Sequence, residues 1–297
     1  MNKNKYYVKI ADILVNIETD FNVLVGIEGT DFFYDSDREV YRKSNIKFEI
    51  KKIENPIRIE GKLFNDDRLY IYETNDGFIR EFYPIIDKNP YAWLIPVNEH
   101  KYNLFYLPGR EEDFKYSKNV LEGITIEKIL NKFNAFILHS SFIKYQDKAI
   151  IFSAPSGTGK STQADLWEKY ENAEIINGDR SGIRKMDGKW TAYGLPIAGT
   201  SGVYKNKKAE ISHIIVLRQG KENKLTKLSP REAFIKLYSE TLVHTWDKDF
   251  QENIVNMITD VVQSIPIYQY ECLPDKSAVD FLKEQIIKDR ELVVETN

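Results

Sequence analysis

The segment Ala154-Pro155-Ser156-Gly157-Thr158-Gly159-Lys160-Ser161 constrains this chain more than any other. It follows the apolar run Ala149-Ile150-Ile151-Phe152 and precedes a helix-compatible stretch from Lys160 to about Tyr170. Two closely spaced glycines let a chain bend tightly and turn its backbone N–H groups toward one anion, with no side chain in the way. A helix that opens directly after such a loop adds the positive end of its dipole and its unpaired N–H groups. A lysine at the start of the helix reaches the β- and γ-phosphates of a nucleotide, and the hydroxyl that follows can face Mg²⁺. The segment fits the relaxed pattern [AG]-x-x-x-x-G-K-[ST], with Ala154 in the first position. It predicts a strand–loop–helix nucleotide site held by Ser156, Gly157, Thr158, Gly159, Lys160, Ser161 and Thr162, with ATP and Mg²⁺ as the cofactors.

Around this motif the chain reads as α/β (α+β) in two domains. Residues 1 to 117 form a smaller β-rich domain. Its runs are Tyr7 to Ile10, Val23 to Ile27, Ile46 to Ile50, Ile57 to Ile59, Leu69 to Tyr72, Phe78 to Phe82 and Trp93 to Val97, with turn chemistry such as Asn75-Asp76-Gly77. Residues 118 to 297 carry the phosphate loop. Thr125 is read as an N-cap, and Ile126, Ile129, Leu130, Phe133, Phe136 and Ile137 as one helical face. Strands are expected at Ser141 to Tyr145, Ala149 to Phe152, Glu174 to Asn177, Trp190 to Tyr193 and Ile211 to Leu217. The C-terminal third reads as helical. Ser229-Pro230-Arg231-Glu232 is a capping box, Phe250, Ile254, Met257, Ile258, Val261 and Val262 form a stripe, and Asp275 caps a last helix.

Composition excludes several classes. The only cysteine is Cys272, so neither an intrachain disulfide nor a thiolate metal site can form, and a reducing cytoplasm is the expected setting. Acidic and basic residues are interleaved and the formal net charge is -3, which gives no bulk electrostatic grip on nucleic acid. No stretch approaches the roughly 18 apolar residues of a membrane span.

A phosphate loop that performs chemistry needs a carboxylate on a neighbouring strand end, as a base or to hold Mg²⁺. Asp179 fits, since one helix and one return strand separate it from Lys160. Both roles stay open for it, and Ser161 is the other metal candidate. Glu210 is a candidate second carboxylate. The basic loop Gly199 to Lys208 is a candidate lid, and Arg180, Arg184 and Arg218 are candidate cations for phosphoryl charge.

Three features together resemble the catalytic domain of the HPr kinase/phosphorylase group, which shares its fold with phosphoenolpyruvate carboxykinases. They are Leu138-His139-Ser140-Ser141 ahead of the loop, Ser156-Gly157-Thr158-Gly159-Lys160-Ser161 itself, and Asn177-Gly178-Asp179-Arg180 after it. Where the family has an acidic pair, this chain has Gly178 followed by Asp179. The resemblance is closest to the HPr-kinase-like proteins that accompany bacterial peptide-modification systems. It implies a phosphoenolpyruvate carboxykinase-type fold for the second domain. It also implies an active-site role for His139 beside Lys160 and Asp179, and transfer of the γ-phosphoryl group to a serine or other hydroxyl. The acceptor is then a peptide or protein, with a small molecule next. A nucleotide-binding sensor without turnover and a carboxykinase-like enzyme remain as alternative readings.

Overall fold

The computed structural model describes residues 4–23, 32–35, 42–66, 69–84, 89–114, 116–197, 199 and 201–295. The chain is a mixed α/β protein with two large sheets. It divides into two units, Met1–Ile129 and Leu130–Asn297, a division that falls later than the change of pattern near residue 117.

The first unit holds β1 (Asn4–Ile10), β2 (Ile13–Thr19), β3 (Phe33–Asp35), β4 (Ile46–Lys52), β5 (Lys62–Asp66), β6 (Leu69–Thr74), β7 (Gly77–Phe82), β8 (Ala92–Asn98) and β9 (Lys101–Tyr106). They pair in the order β3-β1-β2-β4-β9-β8-β7-β6-β5. Alternation puts Val8, Ile10, Ile13, Val15, Ile17, Phe48 and Ile50 in the interior. Five of the expected runs lie inside β1, β4, β6, β7 and β8. Ile57 to Ile59 is not a strand: the three residues follow Pro56, which can give no ladder N–H. For the expected run Val23 to Ile27, residues 24–27 lie outside the described residues. The helices α1 (Ser117–Gly123) and α2 (Ile126–Lys132) follow.

The second unit continues with β10 (Ala135–Tyr145), β11 (Lys148–Ser153), α3 (Lys160–Glu171), β12 (Glu174–Asn177), β13 (Arg180–Met186), β14 (Lys189–Gly194), β15 (Lys208–Gln219) and β16 (Lys224–Lys227). The chain ends with α4 (Pro230–Ser239), α5 (Lys248–Ser264), β17 (Ile267–Cys272) and α6 (Lys276–Glu295). Two sequence expectations change here. The helix does not run on through Phe136 and Ile137. It stops at Lys132, Asn134 takes a φ of 55°, and the chain leaves as β10. Ala135 to Leu138 is apolar on both faces, a pattern that a buried strand and a helix share. The C-terminal third is also not wholly helical, since β16 and β17 extend the sheet.

The sheet order is β11-β10-β13-β14-β15-β17-β16, with β12 beside β10. β11 also pairs in parallel with β15, so β11, β10, β13, β14 and β15 close on themselves. The tight hairpins need positive φ, supplied by Gln146 and Asp147 before β11 and by Asp187 and Gly188 before β14. The central strands are apolar on both faces because both are covered. Phe142, Ile151, Ile214 and Val216 pack with Leu237 of α4 and Phe250, Ile254, Ile258 and Val261 of α5. Ile143, Ile150, Phe152, Ile215 and Leu217 pack with Trp167 of α3 and Val279, Leu282 and Ile286 of α6. The caps at Ser229 and Asp247 fix where α4 and α5 begin. Among the described residues, no helix is long and apolar enough to cross a membrane.

Ile254 is fully buried in the first of these cores. Ile254→Ala should cost about 2–5 kcal/mol, seen as a lower denaturant midpoint at unchanged m-value. An unchanged midpoint would show that α5 does not hold this sheet face.

Candidate functional site

β11 ends with Ser153 opposite Ser140 of β10, and the loop 154–159 leaves the sheet there. Gly157 and Gly159 have φ of 78° and 116°, and a Cβ on either would meet nothing within 4 Å. The backbone angle, not crowding, demands glycine, and the cradle is open. α3 starts at Lys160, with the Gln163 N–H donating to Gly159 O at 2.9 Å. Ser156, Gly157, Ser161 and Thr162 are exposed, and Thr158 and Gly159 are half-buried.

Lys160 is only 7% exposed. Its Nζ donates to Ala154 O at 2.7 Å and Pro155 O at 3.3 Å, so two of its three N–H donors curl back onto the loop. Burial holds this ammonium below the usual lysine range, and the carboxylates of Glu240 and Asp179 oppose the shift. An anion in the loop would satisfy the charge that burial penalises. A cleft of about 540 Å³ opens beside the loop, lined by Ser156, Gly157, Thr158, Arg218, Lys236 and Glu240 among others.

Asp179 sits on the turn between β12 and β13. Asn177, wholly buried, builds that turn: its Oδ1 accepts from the N–H groups of Asp179 (2.9 Å) and Arg180 (2.8 Å). Its Nδ2 donates to the carbonyls of Leu195 and Ile197, both at 3.0 Å. The Asp179 carbonyl accepts from Ser140 N at 2.9 Å, which ties the turn to β10. The carboxylate lies 3.3 Å from Arg180 Nε and 3.6 Å from His139 Nε2. Gly199 closes over it, since a Cβ there would stand 2.6 Å from Asp179 Cβ and Cγ.

His139 therefore joins the other two catalytic candidates at one end of the sheet. Its partner on the other side went unnoticed in the sequence: Glu240 Oε2 is 2.9 Å from His139 Nδ1. Glu240 follows the last residue of α4, and its local sequence carries no signal. Only the pairing of the segment after α4 with β10 brings it here. The Glu240 carbonyl accepts from His139 N at 2.8 Å, and Leu242 N donates to Ile137 O at 3.2 Å.

The other candidates are arranged differently. Glu210, read as a possible second carboxylate, pairs with Lys148 (2.8 Å) and Lys189 (3.0 Å) at the far end of β11 from the loop. Lys205 and Lys207 of the basic loop both bind Glu174, at 3.0 and 2.7 Å, and Lys208 lies over the Tyr193 ring. This loop folds back along β12, with Lys205 N donating to Ile176 O at 2.8 Å, so its lysines do not form a lid in this state. Arg184 Nε donates to Phe133 O, away from the loop, whereas Arg180 and Arg218 stand on the two sides of Glu240. At Gly178, which stands where the resembled family has the first acid of its pair, a Cβ would fall 2.1 Å from Ser201 Oγ and 2.9 Å from Ser201 Cβ, so the exposed Ser201 side chain would have to move to admit one. Besides Asp179, the carboxylate that stands at His139 is Glu240.

No family model and no curated protein matches the chain. Among solved structures, the HPr(Ser) kinase/phosphatase from Coxiella burnetii aligns over 54% of this chain and 93% of its own, with 10% identity and a TM-score of 0.31. At that level the likeness is distant and decides neither fold nor activity.

Gly178→Asp should not build a working acidic pair. The clash with Ser201 should cost about 1–3 kcal/mol, measured as a lower urea midpoint. A variant as stable as the parent would mean that the segment around Ser201 yields freely.

Proposed function

We propose that the chain is an ATP- and Mg²⁺-dependent phosphotransferase that delivers the γ-phosphoryl group to a hydroxyl. A serine of a peptide or protein is the first choice of acceptor, and a small molecule the second. In this reading the second unit is a phosphate-loop domain of the HPr kinase and phosphoenolpyruvate carboxykinase type. The observation that carries the proposal is the placing of Lys160: a buried ammonium in a glycine loop, within the field of Asp179 and Glu240.

The residues fit the cofactor. The open cradle at Gly157 and Gly159 and the unpaired N–H groups at the start of α3 suit phosphate oxygens. Ser156, Thr158 and Thr162 flank that cradle, and Ser161 in the first turn of α3 offers its hydroxyl to Mg²⁺. Bound Mg-ATP would supply the transferable phosphoryl group with its charge partly neutralised. Lys160 would give up its bonds to the Ala154 and Pro155 carbonyls for phosphate oxygens. Asp179 would receive the proton of the acceptor hydroxyl. Arg180 keeps that carboxylate oriented, and its positive charge beside Asp179 argues against a second cation on the same oxygens. The base role is therefore preferred for Asp179, and the metal role for Ser161.

Lys160→Ala should weaken Mg-ATP binding, measured by calorimetry, and abolish ADP release. Unchanged affinity would defeat the phosphate-loop reading. Asp179→Asn should keep the fold and Mg-ATP affinity while lowering turnover by roughly a hundredfold, as for loss of a general base. A shifted Mg²⁺ requirement would instead make Asp179 a metal ligand, and a wild-type rate at every Mg²⁺ concentration would make it a turn residue.

A further inference from the structure

Glu240 has no part in the proposed reaction as described so far, yet it stands at the centre of the site. Glu240 is 14% exposed and is fixed twice, by its backbone and by its side chain. Its carbonyl accepts from His139 N at 2.8 Å, and an antiparallel bridge joins Leu138 to Thr241. The segment 240–242 thus takes the place beside β10 that β11 vacates when the chain turns into the phosphate loop.

A carboxylate only accepts hydrogen bonds, so the 2.9 Å contact requires a proton on His139 Nδ1. That proton fixes the ring orientation and, in the neutral ring, the tautomer. Nε2 is left facing Asp179 Oδ1 at 3.6 Å, too long for a direct hydrogen bond and close enough for both atoms to meet one reacting group. Glu240 also lines both openings at this end of the sheet. One is the cleft at the phosphate loop. The other is a smaller cavity of about 280 Å³ lined by His139, Arg180, Ser239, Thr241 and others. The charged groups beside the imidazole are Glu240 after α4 and Asp179 at the β12–β13 turn; Arg180 pairs with Asp179, and Lys160 at the start of α3 lies within the field of both carboxylates.

We infer that Glu240 is the positioning residue of this site: it holds the neutral His139 ring as the Nδ1–H tautomer, so that Nε2 stands beside the Asp179 carboxylate and orients the group from which Asp179 takes its proton. This rests on the phosphotransfer reading. It adds that the second carboxylate acts through the histidine and not on a metal or the nucleotide.

Two readouts test it on the full chain. The first needs no cofactor. In ¹⁵N-edited NMR of the neutral ring, His139 should be the Nδ1–H tautomer in the parent and in Glu240→Gln, whose amide oxygen still accepts. In Glu240→Ala it should lose that preference. The second uses Mg-ATP with water as the acceptor, read as ADP release. Glu240→Ala should lower kcat about 10- to 100-fold with KM for ATP within about twofold, the pattern of misplacement without lost binding. Glu240→Gln should recover most of the rate, and Glu240→Ala should add nothing in a His139→Ala background. Three results would overturn the inference: an unchanged tautomer in Glu240→Ala, a wild-type kcat in that variant, or additive losses with His139→Ala. Should Glu240→Ala fold poorly, Glu240→Leu, which keeps the volume and removes the acceptor, takes its place in the tautomer, rate and His139→Ala measurements with the same expected and overturning results. Lys160→Ala and Asp179→Asn are assayed alongside. If both keep the parental rate, the phosphotransfer reading fails. If both lose it while Glu240→Ala does not, only the role of Glu240 fails.

Discussion

The register of β10 is the constraint on which the rest of the site depends. One half of this strand pairs with β13 and sets His139 opposite Arg180, and the other half pairs with β11 and sets Ser140 opposite Ser153. The first pairing brings the Asp179 turn to the histidine. The second brings the root of the phosphate loop to the same level. A slip of one residue would send His139 to the opposite face and bury it under a helix layer. The apolar residues that alternate along β10, Phe142 toward one core and Ile143 toward the other, make that slip costly.

Electrostatics at this end of the sheet follow from that geometry. A buried ammonium, an arginine, an imidazole and two carboxylates converge in a region that is half shielded from water. Each charge has an opposite neighbour, which is the condition for tolerating burial. Lys160 is the exception in degree: it leans on two carbonyl oxygens and feels its carboxylates only at longer range. The arrangement is balanced without a ligand and leaves the lysine able to exchange weak partners for stronger ones.

Asn177, Gly178 and Gly199 shape the turn that carries Asp179. Asn177 supplies the turn with hydrogen bonds that a backbone alone could not make, and Gly178 and Gly199 allow Ser201 and the Asp179 side chain to pack at short range. A side chain at position 178 would press on Ser201, so a second acid at this turn would need Ser201 to move.

Several of these features were legible in the sequence because they are local. The strand–glycine loop–helix unit was written in consecutive residues, since its demands are on backbone angle, side-chain absence and one lysine. The hairpin turn at Asn75-Asp76-Gly77 and the capping box at Ser229 were legible for the same reason. The strand at Phe136 and Ile137 was not, because an apolar stretch buried on two sides has no period that separates strand from helix. Glu240 was not legible either, for a different reason. It meets His139 across 101 positions, through strand pairing after α4, and no nearby residue announces it. The sequence by itself determined the groups available: a glycine loop, a lysine, a strand-end aspartate and a histidine. Only the tertiary structure decided which second carboxylate joins them, sending Glu210 to the surface lysines and Glu240 to the histidine, because sheet register and helix packing act between residues far apart in the chain.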